Sequence, residues 1–475
     1  MEASQLPSIL ASQHTRVQGE KQIVLSFRCY VLGSPGYEQL KKPNERNEPN
    51  QLNKAAQPRT IKSRSDFMIY LIGTIVFSAV IMLLVGLLLL VEAKVVLKGD
   101  RSVTINGDAD KILQVDTGTS LLKALSNNNI FIPSACGGGG SCGMCKCRVE
   151  EGVQNFLPTE LAHINRKEKK QNIHLACQLK VKEDLKIRIP ENILEVKKYH
   201  ATVVSNDNVA TFIKDLILEL DADEFLDFEA GAYVQIDVPE YELSFSEFRK
   251  RVGKRFQPAW DRFNLWGLRS KSGEAIFRAY SLANPPSENR RLRFTIRIAT
   301  PPPGMQEAPP GKGSSFIFNL NPGDKLTLSG PYGDFFVKKT GREMCFVGGG
   351  AGMAPLRSQV LHHLETLKTK RTLSFWYGAR SKQELFFDAE FQALEQTYEN
   401  FSFNVALSEP QPEDGWDGMT GYIHQNLKDH YLAQHEDPTE IEYYLCGPPM
   451  MIGAIEQMLD DLGVDPEMIA FDKFS

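Results

Sequence analysis

The residues with the clearest capacity for chemistry are five cysteines between Cys136 and Cys177, out of eight in the chain. In the segment IPSACGGGGSCGMCKC, Cys136 and Cys142 enclose five residues, Cys142 and Cys145 enclose two, and Cys177 lies 32 positions beyond Cys145. The four intervening glycines let a loop fold tightly and turn its N–H groups toward anionic sulfur. Three thiolates on one glycine loop with a remote fourth predict a [2Fe–2S] cluster whose ligands are Cys136, Cys142, Cys145 and Cys177.

Two other uses of these cysteines compete with that interpretation. Disulfides are disfavoured if the domain lies in the cytoplasm, where thiols stay reduced. Structural zinc usually shows two separated Cys-x₂-Cys pairs. The spacing x₅ then x₂ also departs from the plant-type pattern of x₄ then x₂, so the cluster would need a variant loop. Cys147, the fifth cysteine of this group, alternates with Cys145 on a predicted strand. Its simplest interpretation is a small side chain buried in the core.

A second chemical motif is Arg278-Ala279-Tyr280-Ser281, which reads Arg-x-Tyr-Ser. Alone, this motif is weak evidence for a binding site, because an ordinary exposed strand with one charged residue has the same sequence pattern. Followed by the sequences FTIRIAT and GKGSS, it predicts a site for FAD. Arg278 would neutralise the pyrophosphate, Tyr280 would offer a flat face to the isoalloxazine, and Ser281 would donate a hydrogen bond to the reactive flavin nitrogen.

Further cofactor-binding candidates follow this motif. Arg297 lies in FTIRIAT. Gly313, Ser314 and Ser315 open a predicted helix, and the free N–H groups of a first helical turn bind phosphate.

A glycine-rich turn follows the apolar strand Met344–Val347 and precedes a helix whose buried side is marked by leucines and one valine. Strand, glycine turn and helix is the arrangement that brings backbone close to a dinucleotide pyrophosphate. The glycines predicted to bind the nicotinamide cofactor are Gly348, Gly349, Gly350 and Gly352. The residues predicted to mark the buried side are Leu356, Val360, Leu361, Leu364 and Leu367.

Two candidate catalytic residues lie near the end of the chain. Cys446 ends a predicted strand, where sheets of this class place ligand contacts, although a buried core cysteine is an equal possibility. Phe474, one residue from the terminus, would cover the flavin until nicotinamide displaces it. Arg380, Ser381 and Lys382 either receive a 2′-phosphate or are solvated loop residues, so local sequence leaves NADH and NADPH both open.

A chain of 475 residues is long enough for about three domains, which is the number that would carry these three groups of motifs. The composition is 42% hydrophobic and 24% charged with a net charge of −5, which excludes wholesale disorder and a polytopic membrane protein. The acidic balance also argues against broad nucleic-acid binding. Phe67–Val91 is a run of 25 residues without a charge, long enough to predict one transmembrane helix.

The orientation of that helix is ambiguous from charge alone. Basic residues on its C-terminal side favour a cytoplasmic C-terminal part, but others just before it favour the reverse. Residues 1–66 are polar and predict a disordered tail. We hypothesise that translation starts at Met68, which would remove the conflicting charges, and N-terminal sequencing tests this. The basic residues after the helix are Lys94, Lys98, Arg101 and Lys111, and those before it are Arg59, Lys62 and Arg64.

The fold class predicted is a single N-terminal transmembrane helix followed by three domains. Residues 94–190 predict an α+β ferredoxin-like (β-grasp) domain, with Lys94–Leu97 and Ser102–Ile105 as paired strands. Residues 197–338 predict an antiparallel β-barrel for FAD, and residues 339–475 an α/β doubly wound domain for NAD. An insertion at 241–277 interleaves basic and aromatic residues, which favours a docking surface or a lid beside the flavin over nucleic-acid binding.

Together these blocks resemble the ferredoxin–NADP⁺ reductase superfamily with an N-terminal ferredoxin domain. The resemblance extends to the F subunits of sodium-translocating NADH:quinone oxidoreductases, over essentially all of residues 67–475. It rests on the order of CGGGGSCGMC, RAYSLAN, IRIATPPPG, GKGSS, GPYGDF, GGGAGMAPLR, YGARS, CGPPMM and FDKF. The x₅ spacing and the insertion are features of that family, whose chains start close to the membrane helix.

The resemblance implies FAD, one [2Fe–2S] cluster, and NADH rather than NADPH as substrate. It implies five partner subunits in a six-subunit complex of the bacterial inner membrane, ubiquinone as final acceptor, and sodium ions exported by the complex. The large C-terminal part would be cytoplasmic. Hydride would pass from NADH to FAD and single electrons to the cluster. The alternatives are a reductase that feeds an oxygenase and a membrane-tethered scaffold with inactive domains.

Overall fold

The computed structural model describes residues 64–95, 99–152, 154–302, 305 and 307–473. Helix α1 spans Arg64–Val95, and within it Phe67–Leu90 is apolar enough to cross a membrane, with a mean hydropathy of 2.7. No other helix in the described ranges passes the same test. Residues 1–63 of the predicted tail and Phe474 lie outside the described residues. Lys94 and Val95 belong to α1, so the first half of the strand predicted at Lys94–Leu97 is wrong, and its other two residues lie outside the described residues.

The predicted ferredoxin-like domain is a five-stranded mixed sheet with one helix against it. Its sheet order is β2-β1-β5-β3-β4, with β1 and β5 parallel and the other neighbours antiparallel. The helix α2 buries Leu121, Leu122 and Leu125, and its N-terminus is capped by Ser120. The elements are β1 (Asp100–Ile105), β2 (Ile112–Asp116), α2 (Leu121–Asn127), β3 (Lys146–Glu151), α3 (Pro158–Leu161), α4 (Arg166–Lys170), β4 (Ile173–Leu175) and β5 (Leu185–Arg188).

The middle of the chain is an antiparallel barrel with a small two-stranded sheet beside it. The barrel order is β11-β8-β13-β6-β7-β12, and the N–H of Ala283, just after β11, donates to Arg293 O on β12 and joins the two edges. The elements are β6 (Lys197–Ala210), β7 (Ile213–Leu220), β8 (Tyr233–Val238), β9 (Tyr241–Ser244), α5 (Gln257–Arg262), β10 (Arg269–Ser272), β11 (Ile276–Ser281), β12 (Arg291–Arg297), α6 (Lys312–Asn319) and β13 (Lys325–Tyr332).

The C-terminal part is a parallel sheet of order β17-β16-β15-β14-β18-β19, with apolar clusters on both faces. The chain order reverses beside β14, and ligand crevices form at such a reversal. The elements are β14 (Met344–Gly349), α7 (Met353–Leu361), β15 (Leu373–Ala379), α8 (Asp388–Thr397), β16 (Phe401–Leu407), β17 (Met419–Thr420), α9 (Ile423–His430), β18 (Glu442–Gly447), α10 (Pro449–Asp461) and β19 (Ile469–Lys473).

The predicted buried side of α7 is confirmed at four of its five positions. Leu356, Val360, Leu361 and Leu364 are at most 3% exposed. Leu367 is 56% exposed, because the helix and the wider turn after it end at Thr366.

Candidate functional site

The four predicted cluster ligands lie as two pairs of thiols. The Sγ atoms of Cys136 and Cys142 are 3.4 Å apart, and the thiols of Cys145 and Cys177 form a second hydrogen-bonded pair. Among the described residues, no group of three or more His, Cys, Asp or Glu side chains is arranged to hold one metal ion. Two pairs of thiolates are the donor set that a two-iron cluster needs, so these residues fit a [2Fe–2S] group.

The loop that carries the first three cysteines depends on glycine. Gly137, Gly138, Gly140 and Gly143 all have φ between 63° and 96°, a region that other residues rarely adopt. A Cβ at Gly143 would lie 2.8 Å from His163. Side chains at these positions would therefore open the loop. The N–H groups of Gly138, Ser141 and Cys142 face the Cys136 sulfur, as the sequence predicts, whereas the Gly137 N–H donates to Ser134 O.

Those N–H groups stabilise thiolate, which is the form that binds iron. The Cys142 thiol, followed by backbone N–H groups of the loop, lowers the pKa of Cys136. In the other pair, the Cys145 thiol and then the Gln178 side chain lower the pKa of Cys177. In each pair, hydrogen bonds to one sulfur therefore stabilise its anionic form relative to a free thiol.

Cys147 lies apart from this set on β3, opposite His174 of β4. Its side chain is 2% exposed, and burial raises its pKa to about 12. The structure therefore gives it the surroundings of a small core residue.

The predicted flavin residues Arg278 and Tyr280 meet the first turn of α6. A Cβ at Gly313 would lie 2.6 Å from Arg278 Cγ and 2.7 Å from Tyr280 Oη, so only glycine admits both side chains. Burial raises the pKa of Tyr280, which keeps its hydroxyl neutral. A guanidinium, an aromatic ring and free helical N–H groups converge here, and this donor set fits the pyrophosphate and ring of FAD.

The two serines of the same turn are held inside the protein. Ser314 Oγ accepts a hydrogen bond from Ala299 N at 3.0 Å and donates to Gly311 O, so it fixes the turn. Ser315 is fully buried. Any phosphate contact from this turn therefore comes chiefly from backbone N–H groups.

Arg297 is the last residue of β12, and its charged neighbours differ from the partners of Arg278 and the α6 turn. Its charged neighbours are Glu384 and Arg380, both of which follow β15 in the parallel-sheet domain, and burial lowers its pKa. The structure brings it to the end of β15.

The cluster loop contacts the flavin strand directly. A Cβ at Gly137 would lie 2.0 Å from Arg278 Nη1 and 2.3 Å from Phe277 O. Nearby, Tyr332 Oη donates to Phe131 O at 3.2 Å, and Tyr233 Oη lies 3.9 Å from Met144 Sδ. Met144 stands between two predicted ligands, so the cluster loop and the barrel share a packed interface.

At the other end of the barrel, the glycine turn lies against Cys446. A Cβ at Gly352 would lie 2.0 Å from Cys446 O, and one at Gly349 would lie 2.9 Å from Met451 Sδ. Gly350 has φ 58°, and Gly348 packs against Leu356. The predicted strand, turn and helix are present at the reversal of the sheet, and of the turn residues Gly350 and Ala351 are the partly exposed ones.

Ser281 meets a residue that the sequence analysis missed. Its Oγ donates to Asp472 Oδ2 at 3.2 Å, and Asp472 pairs with Cys446 across β18 and β19. Burial raises the pKa of Asp472 to about 6 and, with the Asp472 charge, raises that of Cys446. The one available signal was an acid inside the C-terminal FDKF. The predicted residues Ser281 and Cys446 are thus joined through Asp472.

The two basic residues after β15 have partners within the chain. Arg380 Nε lies 3.5 Å from Glu409 Oε2, and Lys382 Nζ donates to Asp414 O. Ser381 is buried. Arg380 is thus paired with an acid and Lys382 with a main-chain carbonyl, so both cations are engaged within the chain.

Fold and site together define a flavin- and iron–sulfur-containing NADH reductase built on the ferredoxin reductase plan. Family models for a 2Fe-2S iron-sulfur cluster binding domain, an oxidoreductase FAD-binding domain and an oxidoreductase NAD-binding domain match residues 103–182, 266–337 and 346–457. FAD, one [2Fe–2S] cluster and NADH are therefore its cofactors and substrate.

The curated relatives narrow this class to one family. The F subunit of the Na(+)-translocating NADH-quinone reductase of Serratia proteamaculans is 48% identical over 404 residues, covering 85% of this chain and 99% of that protein. The F subunits of the same enzyme in Haemophilus ducreyi (48%, 85% and 98%) and Neisseria meningitidis (47%, 85% and 99%) are similarly related. The chain belongs to the family of F subunits of Na(+)-translocating NADH-quinone reductases.

Two solved structures share the fold at lower identity. A cytochrome P450 reductase from Amycolatopsis is 24% identical with a TM-score of 0.54, covering 79% of this chain and 98% of its own. A ferredoxin reductase in carbazole 1,9a-dioxygenase is 25% identical with a TM-score of 0.52, covering 79% and 99%. Since the relatives among the F subunits are nearly twice as similar, they outweigh the oxygenase-reductase alternative.

Proposed function

We propose that this chain is the NADH-oxidising subunit of a six-subunit, sodium-pumping NADH:ubiquinone oxidoreductase. It oxidises NADH and delivers single electrons to partner subunits, which reduce ubiquinone and export sodium ions. The family relationship supports the partners and the acceptor.

When bound, FAD accepts a hydride and, with the [2Fe–2S] cluster, converts it to single-electron transfers. The chain's own residues supply binding and orientation. Cys136, Cys142, Cys145 and Cys177 hold the iron, and Arg278 with the α6 turn neutralises pyrophosphate charge. Tyr280 positions the flavin ring.

At the nicotinamide end of the site, the Ser281 hydroxyl is oriented by its hydrogen bond to Asp472. Cys446 lies beside Asp472 on the neighbouring strand β18. Gly348, Gly349, Gly350 and Gly352 admit the dinucleotide backbone. Phe474 closes over the flavin when NADH is absent, and Arg297 contacts the nucleotide side of the crevice.

One observation carries this proposal: Arg278 contacts both halves of the electron path. Its side chain lies against Gly313 of the phosphate turn and against Gly137 of the cluster loop. A flavin bound at the first would therefore adjoin a cluster bound at the second, as internal transfer requires.

Helix α1 anchors the chain in a bacterial inner membrane as a single span. The cytoplasmic side is proposed for residues 94–475, because Lys94, Lys98, Arg101 and Lys111 follow the span and cationic flanks stay inside. NADH is also a cytoplasmic substrate. The domain limits 94–190, 197–338 and 339–475 are proposed with this arrangement.

Membrane vesicles lacking this subunit test the assignment. Adding the full chain should restore NADH-dependent ubiquinone reduction and sodium uptake into inverted vesicles. Restored NADH oxidation with an oxygenase as the only productive acceptor would replace the proposal with the oxygenase-reductase function. The matched control is the Cys142→Ala chain, which should oxidise NADH and leave ubiquinone oxidised.

A further inference from the structure

Four aromatic side chains of the insertion at 241–277 lie inside the protein. Phe245, Phe248, Phe256 and Trp260 are at most 1% exposed and form one cluster with Phe318. Phe318 belongs to α6, the helix that carries the phosphate turn. In addition, the Tyr241 hydroxyl donates to Lys312 O at 2.5 Å in the first turn of α6. The insertion therefore supports α6 from behind, and most of its basic residues face solvent together with Phe263 and several acidic residues.

A second contact leads from the insertion toward the nicotinamide domain. Trp260 Nε1 donates to Thr211 O at 2.9 Å, and both groups are buried. Thr211 lies in the turn between β6 and β7 and is 2% exposed. Trp260 thus fixes the backbone of that turn.

Thr211 in turn holds a carboxylate of the parallel-sheet domain. Its N–H donates to Glu384 Oε2 at 3.1 Å, and its hydroxyl donates to Glu384 Oε1. Gln383 Nε2 donates to the same hydroxyl at 3.0 Å. Three hydrogen bonds therefore tie the segment after β15 to the barrel at a single buried residue.

That segment borders the NADH crevice. Glu384 is a charged neighbour of Tyr377, whose hydroxyl donates to Gly350 O at 3.1 Å in the glycine turn. It is also a neighbour of Arg297. The segment after the second strand of such a sheet is where the adenosine part of a dinucleotide binds.

We propose that the insertion is an internal brace for NADH binding, in which Trp260 is a positioning residue that acts through Thr211 on Glu384. This rests on the proposed NADH oxidation. The brace fixes the flavin-phosphate helix and the adenosine side of the crevice from one buried cluster. Trp260 does not touch substrate, so its loss changes the affinity for NADH and leaves the hydride step intact.

Trp260→Phe keeps the aromatic packing and removes the donor, and Trp266→Phe is its matched control. Trp266 stacks on Trp260 with ring centroids 4.9 Å apart, but its Nε1 donates to Asp261 within the insertion. Thr211→Val removes the hydroxyl, and Thr211→Ser retains it. The full chain in detergent, loaded with FAD, is assayed for NADH oxidation with ferricyanide, and NAD⁺ affinity is measured by calorimetry.

Trp260→Phe and Thr211→Val should each raise KM for NADH and Kd for NAD⁺ by about three- to tenfold, the effect of one net hydrogen bond. The kcat should change less than twofold, and Thr211→Ser and Trp266→Phe should match the unaltered chain. Equal KM changes for Trp260→Phe and Trp266→Phe, or an unaltered Kd in Thr211→Val, would overturn the brace. An unaltered chain that binds NAD⁺ but is not reduced by NADH would refute the proposed function and leave the calorimetric test of the brace valid.

Discussion

Replacing Gly137 with alanine should separate the cluster loop from the flavin strand. The residue has φ +63°, and an alanine there costs about 1–2 kcal/mol in a left-handed conformation. The added Cβ would also lie 2.0 Å from Arg278 Nη1 and 2.3 Å from Phe277 O, so a backbone group must move. Together the backbone strain and the clash disfavour the observed contact by at least about 2 kcal/mol. That free energy lowers the population of chains with the contact formed by about 30-fold.

The consequence is a slower arrival of electrons at the cluster with an unchanged hydride step. Anaerobic stopped-flow absorbance of the full chain in detergent follows flavin and iron–sulfur bands separately after mixing with NADH. We expect flavin bleaching at the rate of the unaltered chain and iron–sulfur bleaching at least about tenfold slower. Iron and sulfide contents are measured first, so that only loaded protein is compared.

Gly139→Ala is the matched control in the same loop. Its Cβ would lie 3.7 Å from Cys136 O, an ordinary contact, and its φ is not in the left-handed region. It should transfer electrons like the unaltered chain. If loaded Gly137→Ala transferred as fast as Gly139→Ala, the contact between Gly137 and Arg278 would not lie on the electron path.

Cys142→Ala should abolish iron–sulfur absorbance while NADH still bleaches the flavin, and loss of both would show that the two sites are not separable. Ser281→Ala should slow flavin reduction about 10- to 100-fold, the effect of losing one hydrogen bond to a charged group. Stopped flow follows the rate, and an unchanged rate would remove Ser281 from the mechanism. Asp472→Asn should stabilise the flavin-free chain near pH 8 but not near pH 4. The raised pKa of Asp472, about 6, favours its neutral form, so its stabilisation is complete below the ordinary value of 3.8 and is lost as pH rises through 6. Thermal unfolding between pH 4 and pH 8 checks this, and parallel curves for the two chains would contradict it.

Local sequence was sufficient wherever the chemistry is local. The spacing of Cys136, Cys142 and Cys145 on a glycine loop indicated the cluster, because its ligands share a few residues of chain. The same holds for the strand, turn and helix at Gly348–Gly352. Both features are formed by residues that are close in sequence, so the residue types and their spacing indicate the backbone conformation directly.

Contacts between distant segments could not be predicted this way. Asp472 lies 191 residues from Ser281, and only the pairing of β18 with β19 brings it to the site. Trp260 and Thr211 are 49 residues apart and meet through packing. The contact of Gly137 with Arg278 likewise depends on how two domains dock.

Two differences have a simple physical origin. Lys94 and Val95 are helical because the hydrogen-bonded ladder of α1, once formed over the apolar run, continues past Val91 to Val95. The insertion buries Phe245, Phe248, Phe256 and Trp260 with Phe318, whereas most of the interleaved basic residues lie on its outer surface, together with Phe263. The sequence shows which residues of the insertion are aromatic and which are basic, but it does not show which of them face the core.

An anaerobic NADH titration of the full chain tests the central claim most directly. FAD takes two electrons and a [2Fe–2S] cluster one, so full reduction requires about 1.5 NADH per loaded chain. We expect flavin and iron–sulfur bands to bleach together up to that endpoint. An endpoint of about 1.0 with the iron–sulfur bands unchanged, or no bleaching, would contradict an internal path from NADH through the flavin to the cluster.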